Sequence, residues 1–171
     1  MKHATILLLL AAAATLTACG TVPQSRSHYI ELIQNHNGLG SSQKLIYSKE
    51  VNRSFEAVVA NIENRLNQCV PEGYTQTSVR GNLASSSTVT NNQRIEIVSP
   101  DKAEVTVQQH HTGTYMQSEG GLYLLAADVT KAQPNKVRLD FYTAKHYAPI
   151  AEAIENWAQG SGQCHGIGGK P

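Results

Sequence analysis

Between Ser54 and Cys69 the apolar residues Phe55, Val58, Val59, Ile62, Leu66 and Cys69 recur at three- and four-residue spacing, while Glu56, Glu63, Asn64 and Arg65 take the other side. A period near 3.6 predicts an amphipathic helix, which Ser54 can cap and Pro71-Glu72-Gly73 can end. From Tyr74 to Ala144 the period falls to two. Runs rich in Thr, Val and Tyr predict strands over Tyr74–Val79, Ser86–Thr90, Arg94–Ser99, Lys102–Gln109, Thr112–Met116, Leu122–Val129 and Val137–Ala144. The breaks between them are turn formers: Gly81-Asn82, Asn91-Asn92, Pro100-Asp101, Glu119-Gly120-Gly121 and Gln133-Pro134-Asn135. Leu45-Ile46-Tyr47-Ser48 predicts one more strand ahead of the first helix. A closing helix follows, with Pro149 in its first turn, Gly160 at its end, and a stripe of Tyr147, Ile150, Ala151, Ile154, Trp157 and Ala158.

In the last predicted strand Val137, Leu139 and Phe141 share one face and Arg138 and Asp140 the other, as in a sheet buried on one side. Two helices with one apolar stripe each and a meander with one apolar face satisfy one another in a two-layer α+β domain, an antiparallel sheet against two helices, over residues 43–165. This element order resembles that of helix-grip domains, including START-like proteins and the domains of the outer-membrane assembly lipoprotein BamC, over about Gln43 to Gly160. The resemblance implies a last helix lying across a curved sheet and able to enclose an apolar cavity, hence binding of a small ligand or a partner. Tyr123, Tyr142, Tyr147 and Trp157 are the candidate lining of such a groove; the alternative is that the tyrosines sit on half-buried strand faces and the tryptophan in the core.

The N-terminus has a different pattern. Met1-Lys2-His3 carries a positive charge and Ile6 to Ala14 is an unbroken apolar run, too short to span a bilayer but suited to a secretory signal. It closes on Leu16-Thr17-Ala18-Cys19-Gly20, which resembles the bacterial lipobox. The resemblance implies removal of residues 1–18, diacylglycerol on the Cys19 thiol and a membrane anchor made of lipid. Gly20 in place of an inner-membrane-retaining aspartate implies the outer membrane, facing the periplasm, with the cell surface as the other destination. Residues 19–42, rich in Ser, Gln, Asn and Gly, read as a lipidated tether; within them Tyr29-Ile30-Glu31-Leu32-Ile33 can pack on the domain as a short strand or helical turn. Residues 166–171 read as a flexible tail.

Composition narrows the function classes. The 171 residues suit one domain, and 14 Lys plus Arg against 13 Asp plus Glu leave no field of one sign to hold nucleic acid. Of three cysteines, lipid claims Cys19, and Cys69 with Cys164 form an even remainder that predicts one disulfide in an exported protein. His110 and His111 point to opposite faces if they lie on a strand, so they do not predict a metal site with His146 or His165. Asp128 and Asp140 can form a carboxylate pair across neighbouring strands, or pair with Lys or Arg. Ser85-Ser86-Ser87 lacks a Gly-x-Ser-x-Gly frame, and Gly166-Ile167-Gly168-Gly169 neither follows a strand nor opens a helix. No cofactor is implied. The expectation is a non-catalytic binding or assembly accessory of the envelope, whose partner is an envelope protein; the alternatives are a carrier of a small apolar ligand and an envelope hydrolase using the helix–sheet cleft.

Overall fold

The computed structural model describes residues 22–35, 43–113 and 116–164. The expected signal segment, Cys19 and residues 165–171 lie outside them. Helix α1 spans Arg26–Asn35, β1 Lys44–Val51, α2 Phe55–Cys69, β2 Gly73–Arg80, β3 Leu83–Ser99, β4 Lys102–His111, β5 Leu122–Gln133 and β6 Lys136–Ala144; a 3-10 turn, Lys145–Tyr147, leads into α3, Ala148–Ala158. The strands form one antiparallel sheet in the order β1-β6-β5-β4-β3-β2. Strands β2 to β6 are a meander, and β1 closes the far edge beside β6.

The two amphipathic helices cover one face of this sheet, as their stripes require. Ser54 caps α2 by accepting the Ala57 N–H at 3.3 Å. All six of its predicted apolar positions are buried. They meet Val105 and Val107 of β4, Leu125, Ala127 and Val129 of β5, and Val137, Leu139 and Phe141 of β6 in the main core. From α3 come Ala151, Ile154, Trp157 and Ala158. Trp157 is fully buried, and its indole N–H donates to the Gln163 carbonyl at 2.7 Å. The end of α3 and the segment after it are tied back to α2 as well, since Asn61 donates to the Trp157 carbonyl and Arg65 to that of Gly162 at 2.8 Å. Cys69 and Cys164 are bonded, with Cα atoms 5.1 Å apart and a sequence separation of 95. In the chain-entropy view, closing so long a loop stabilises by up to about 4.7 kcal/mol.

Three local expectations give way. Asn91-Asn92 does not divide two strands: β3 runs unbroken through them from Leu83 to Ser99. The asparagine side chains find partners without leaving the strand, Asn91 on the Pro71 carbonyl at 2.8 Å and Asn92 on that of Gly120 at 3.1 Å. The described residues of the expected strand Thr112–Met116 are not extended: Thr112 and Gly113 turn, and Met116 lies in a bend. The third difference is α1, a ten-residue helix inside the stretch read as a tether. It packs on the sheet face opposite α2 and α3, through Tyr29 and Ile33 against Ala126, Tyr123 and Tyr142. The two-layer domain thus carries a partial third layer.

Because Trp157 is the largest fully buried side chain, Trp157→Ala should cost about 3–5 kcal/mol. Urea unfolding of the two forms reads this directly, and a loss below ~1 kcal/mol would show that the site collapses around the truncation.

Candidate functional site

The outer face of the sheet is built by register. Pairing sets Glu96 opposite Glu104, Glu104 opposite Asp128, Asp128 opposite Asp140 and Asp140 opposite Ser48, so four carboxylates form one line across β3, β4, β5 and β6. Like charges directly across a ladder repel. Each carboxylate has a cation beside it: Arg94 on Glu96 at 3.0 Å, Lys102 on Glu104 at 3.2 Å and on Asp128 at 3.5 Å, and Arg138 on Asp140 at 2.8 Å. The Ser48 hydroxyl also donates to Asp140.

Arg26 alone in this set comes from outside the sheet. Its guanidinium spans Glu104 at 3.2 Å and Asp128 at 2.7 Å and donates to the Ala127 carbonyl at 2.8 Å. With 13% of its side chain exposed it is the most enclosed cation of the row. Charge-assisted bonds in such a setting are roughly twice as strong as neutral ones. Further along α1, Tyr29 stacks on Tyr123 with centroids 5.1 Å apart and its hydroxyl donates to the Leu124 carbonyl at 3.2 Å. That carbonyl, in the irregular register of β5 beside Val107 and Gln108, also accepts the Thr143 hydroxyl at 2.6 Å. Beside α1 runs an open groove of ≈ 440 Å³ lined by Arg26, Ile30, Glu31, Gln34, Lys102 and Asp128, among others.

Burial pushes the Tyr29 hydroxyl well above its ordinary range. Tyr47, stacked on Phe141 at 4.8 Å, is pushed up to about 12 by burial and then by Glu155 and Glu152. Partial desolvation disfavours the Lys102 charge, but Asp128 and Glu104 outweigh it and raise its pKa. Tyr142, between Asp128 and Asp140, is raised by burial first.

The four residues expected to line one groove are divided. Tyr123 and Tyr142 lie under α1 on the outer face, Tyr147 packs at the margin of the main core, and Trp157 is sealed within it. The groove between last helix and sheet is therefore not formed by this set, because apolar side chains fill the space. His110 and His111 sit at the end of β4; His111 shares a hydrogen bond of 3.0 Å with Gln109 and His110 is exposed. His146 meets the Tyr147 ring edge-on at 5.0 Å. Among the described residues no three His, Cys, Asp or Glu side chains gather as metal ligands. Asp128 and Asp140 do lie opposite each other, but each carboxylate pairs with cations, Asp128 with Arg26 and Lys102 and Asp140 with Arg138. Arg26 escaped the sequence reading, which allowed Tyr29 to Ile33 to pack on the domain as a strand or helical turn but not a ten-residue helix pinned by that arginine.

The second feature is an arm. β3 pairs with β4 only from Val89 onward, whereas its first third, Leu83 to Thr88, has β2 as its strand partner. The β2–β3 hairpin therefore projects past the sheet as a two-stranded ribbon with both edges open. Every residue of β2 is exposed, and between Gly73 and Thr90 the sole charge is Arg80. Tyr74, Val79 and Leu83 are exposed apolar side chains on it, Leu83 at 78%. Thr112 anchors its root, with its N–H donating to the Thr88 carbonyl at 3.0 Å and its hydroxyl accepting the Thr88 N–H at 2.9 Å. Nearby, Gly121 at φ 107° passes so close to β4 that a Cβ would lie 2.5 Å from the Gln109 backbone. Any side chain there would push the loop 118–121 away.

Among the described residues no helix is long and apolar enough to cross a membrane. Compared with protein-family models and with curated proteins, the chain matches neither a family nor a curated sequence.

Two outcomes test this description. Arg26→Ala should leave the Glu104 and Asp128 charges half-buried, lower stability by about 1.5–3 kcal/mol, and expose residues 22–35 to limited proteolysis at protease levels that leave the parent chain intact. A tyrosine or lysine whose pKa is raised on folding stabilises fully below its unfolded value and loses that contribution as pH rises through the folded value. The urea midpoint should thus hold from neutral pH to the ordinary tyrosine value of 10.0 and fall toward pH 12, with Tyr47→Phe flattening the fall. An unchanged slope in that variant would remove Tyr47 as a cause.

Proposed function

We propose that this chain is an outer-membrane lipoprotein, anchored through lipid on Cys19 and facing the periplasm, whose domain is a non-catalytic binding or assembly accessory. The observation that carries the binding role is the arm. Natural sheets guard their edges with lysine, proline, bulges or a covering element. Here β2 presents an uncovered edge of neutral Thr, Gln and Ser over Thr75–Ser78. Such an edge takes an added strand from another protein, with main-chain hydrogen bonds giving affinity. The disulfide fits an oxidising compartment. The filled space between α3 and the sheet supports surface binding over a carrier with an internal apolar ligand. A hydrolase reading would have to build on Ser48, whose hydroxyl donates to Asp140, and Arg138 already engages both groups in the ionic row.

The test has two arms in cells. Cys19→Ser should end incorporation of labelled palmitate and release the protein from the membrane fraction; palmitate still incorporated would sink the lipoprotein reading. A photoreactive benzoylphenylalanine at Gln76 should give a discrete crosslinked species that is lost when Thr75→Lys and Thr77→Lys place charges on the edge. The same crosslink surviving those lysines would remove β2 as the docking edge.

A further inference from the structure

The chain enters the described domain at a fixed point. The Pro23 carbonyl accepts the Ser118 hydroxyl at 2.6 Å, and Arg26 and Tyr29 pin the helix that follows. Ser118 belongs to the β4–β5 loop, which is joined to the arm's root through Thr112 and Thr88 and to β3 through Gly120 and Asn92. The contact that fixes the entry therefore lies on the half of the sheet from which the arm projects. Fully extended, the stretch from Cys19 to Pro23 reaches at most about 14 Å. From Thr88 to Leu83 the arm continues for about 17 Å at the usual strand rise. A bilayer holding lipid on Cys19 thus lies no farther from the entry point than the arm extends.

We infer that the tip of the arm, around Val79 and Leu83, rests in the headgroup layer of the leaflet that anchors Cys19, so that the sheet stands end-on to the membrane. This rests on the lipoprotein reading above. The chemistry of the tip agrees with a lipid surface. Val79 pairs with Ala84 and Arg80 with Leu83, so successive pairs put an apolar side chain on each face of the ribbon. Val79 is 71% exposed, and among the described residues no element covers either face there. End-on contact with lipid covers both at once. Unpaired strand edges are costly in hydrocarbon, which limits the contact to the hydrated interface. Arg80, the arm's single charge, can reach lipid phosphate while its stem stays with Leu83. Met116, exposed in the adjoining loop, adds to the same end. By contrast, α1 turns Ser27, Glu31 and Gln34 toward the groove beside it, with no large exposed apolar side chain. The remaining exposed apolar residues lie elsewhere, Ile97 and Val98 at the opposite end of the sheet and Ile46 on the outer face of β1.

The experiment uses full-length protein extracted from membranes and reconstituted into phosphatidylethanolamine/phosphatidylglycerol vesicles whose acyl chains carry bromine. Leu83→Trp, Ile97→Trp and Ile46→Trp are each compared with the parent, whose buried Trp157 sets the background. Mass spectrometry of the N-terminal peptide reads lipid on Cys19 in the same samples. The emission added at position 83 should be mostly quenched and that at 97 and 46 should not. A lipidated protein with no quenching at 83, or with quenching at 97 or 46 instead, overturns the end-on placement and leaves the anchor standing. A Cys19 peptide without lipid overturns both.

Discussion

Antiparallel pairing in this register brings Glu96, Glu104, Asp128 and Asp140 into one line on the outer face of the sheet, and the fold has to neutralise that line. The core side of the same strands demands the register: a one-residue slip would turn Val105, Ala127 and Leu139 to solvent. Lys102, Arg94 and Arg138 supply cations from within the sheet. Arg26 supplies one from outside, and by reaching Glu104 and Asp128 it draws α1 down onto the outer face. An electrostatic need created by packing on one side thus positions a helix on the other.

That helix decides how the chain arrives. With Pro23 held at Ser118, the run of residues ahead of the domain is far shorter than an unstructured stretch to β1 would be. On the proposed lipid anchor, position and orientation at a lipid surface would be properties of the folded state, not of a slack linker. The arm shares that geometry, because the contact that fixes the entry and the projecting hairpin lie on the same half of the sheet.

The other side of the molecule is built for permanence. Trp157, Phe141, Ile62, Leu66 and Leu139 fill the layer between helices and sheet, and the Cys69–Cys164 bond closes it where α2 and the segment after α3 meet. A tightly filled interior leaves surfaces as the places where recognition can occur. With the outer edge of β1, the β2 edge and the arm tip are parts of the described surface that sheet geometry leaves unfinished.

Period alone determined α2, α3, most of the strands and the identity of the buried face, because amphipathic spacing is a local property that tertiary packing merely accepts. Cysteine parity likewise determined the disulfide, and the apolar run ending at Cys19 set the expectation of an anchor. Where side chains had to find distant partners, local reading stopped. Asn91 and Asn92 read as a turn until the Pro71 and Gly120 carbonyls accept them inside a strand. Tyr123 and Tyr142 read as neighbours of Trp157 until the sheet puts them on its opposite face. Arg26 is one cation in a polar stretch, and only the folded sheet, by aligning Glu104 with Asp128 a hundred residues away in the chain, gives it a place to bind. The projecting arm is likewise a tertiary fact, since the length by which β3 outruns β4 depends on where the loop after His111 turns away and not on the hairpin's own sequence.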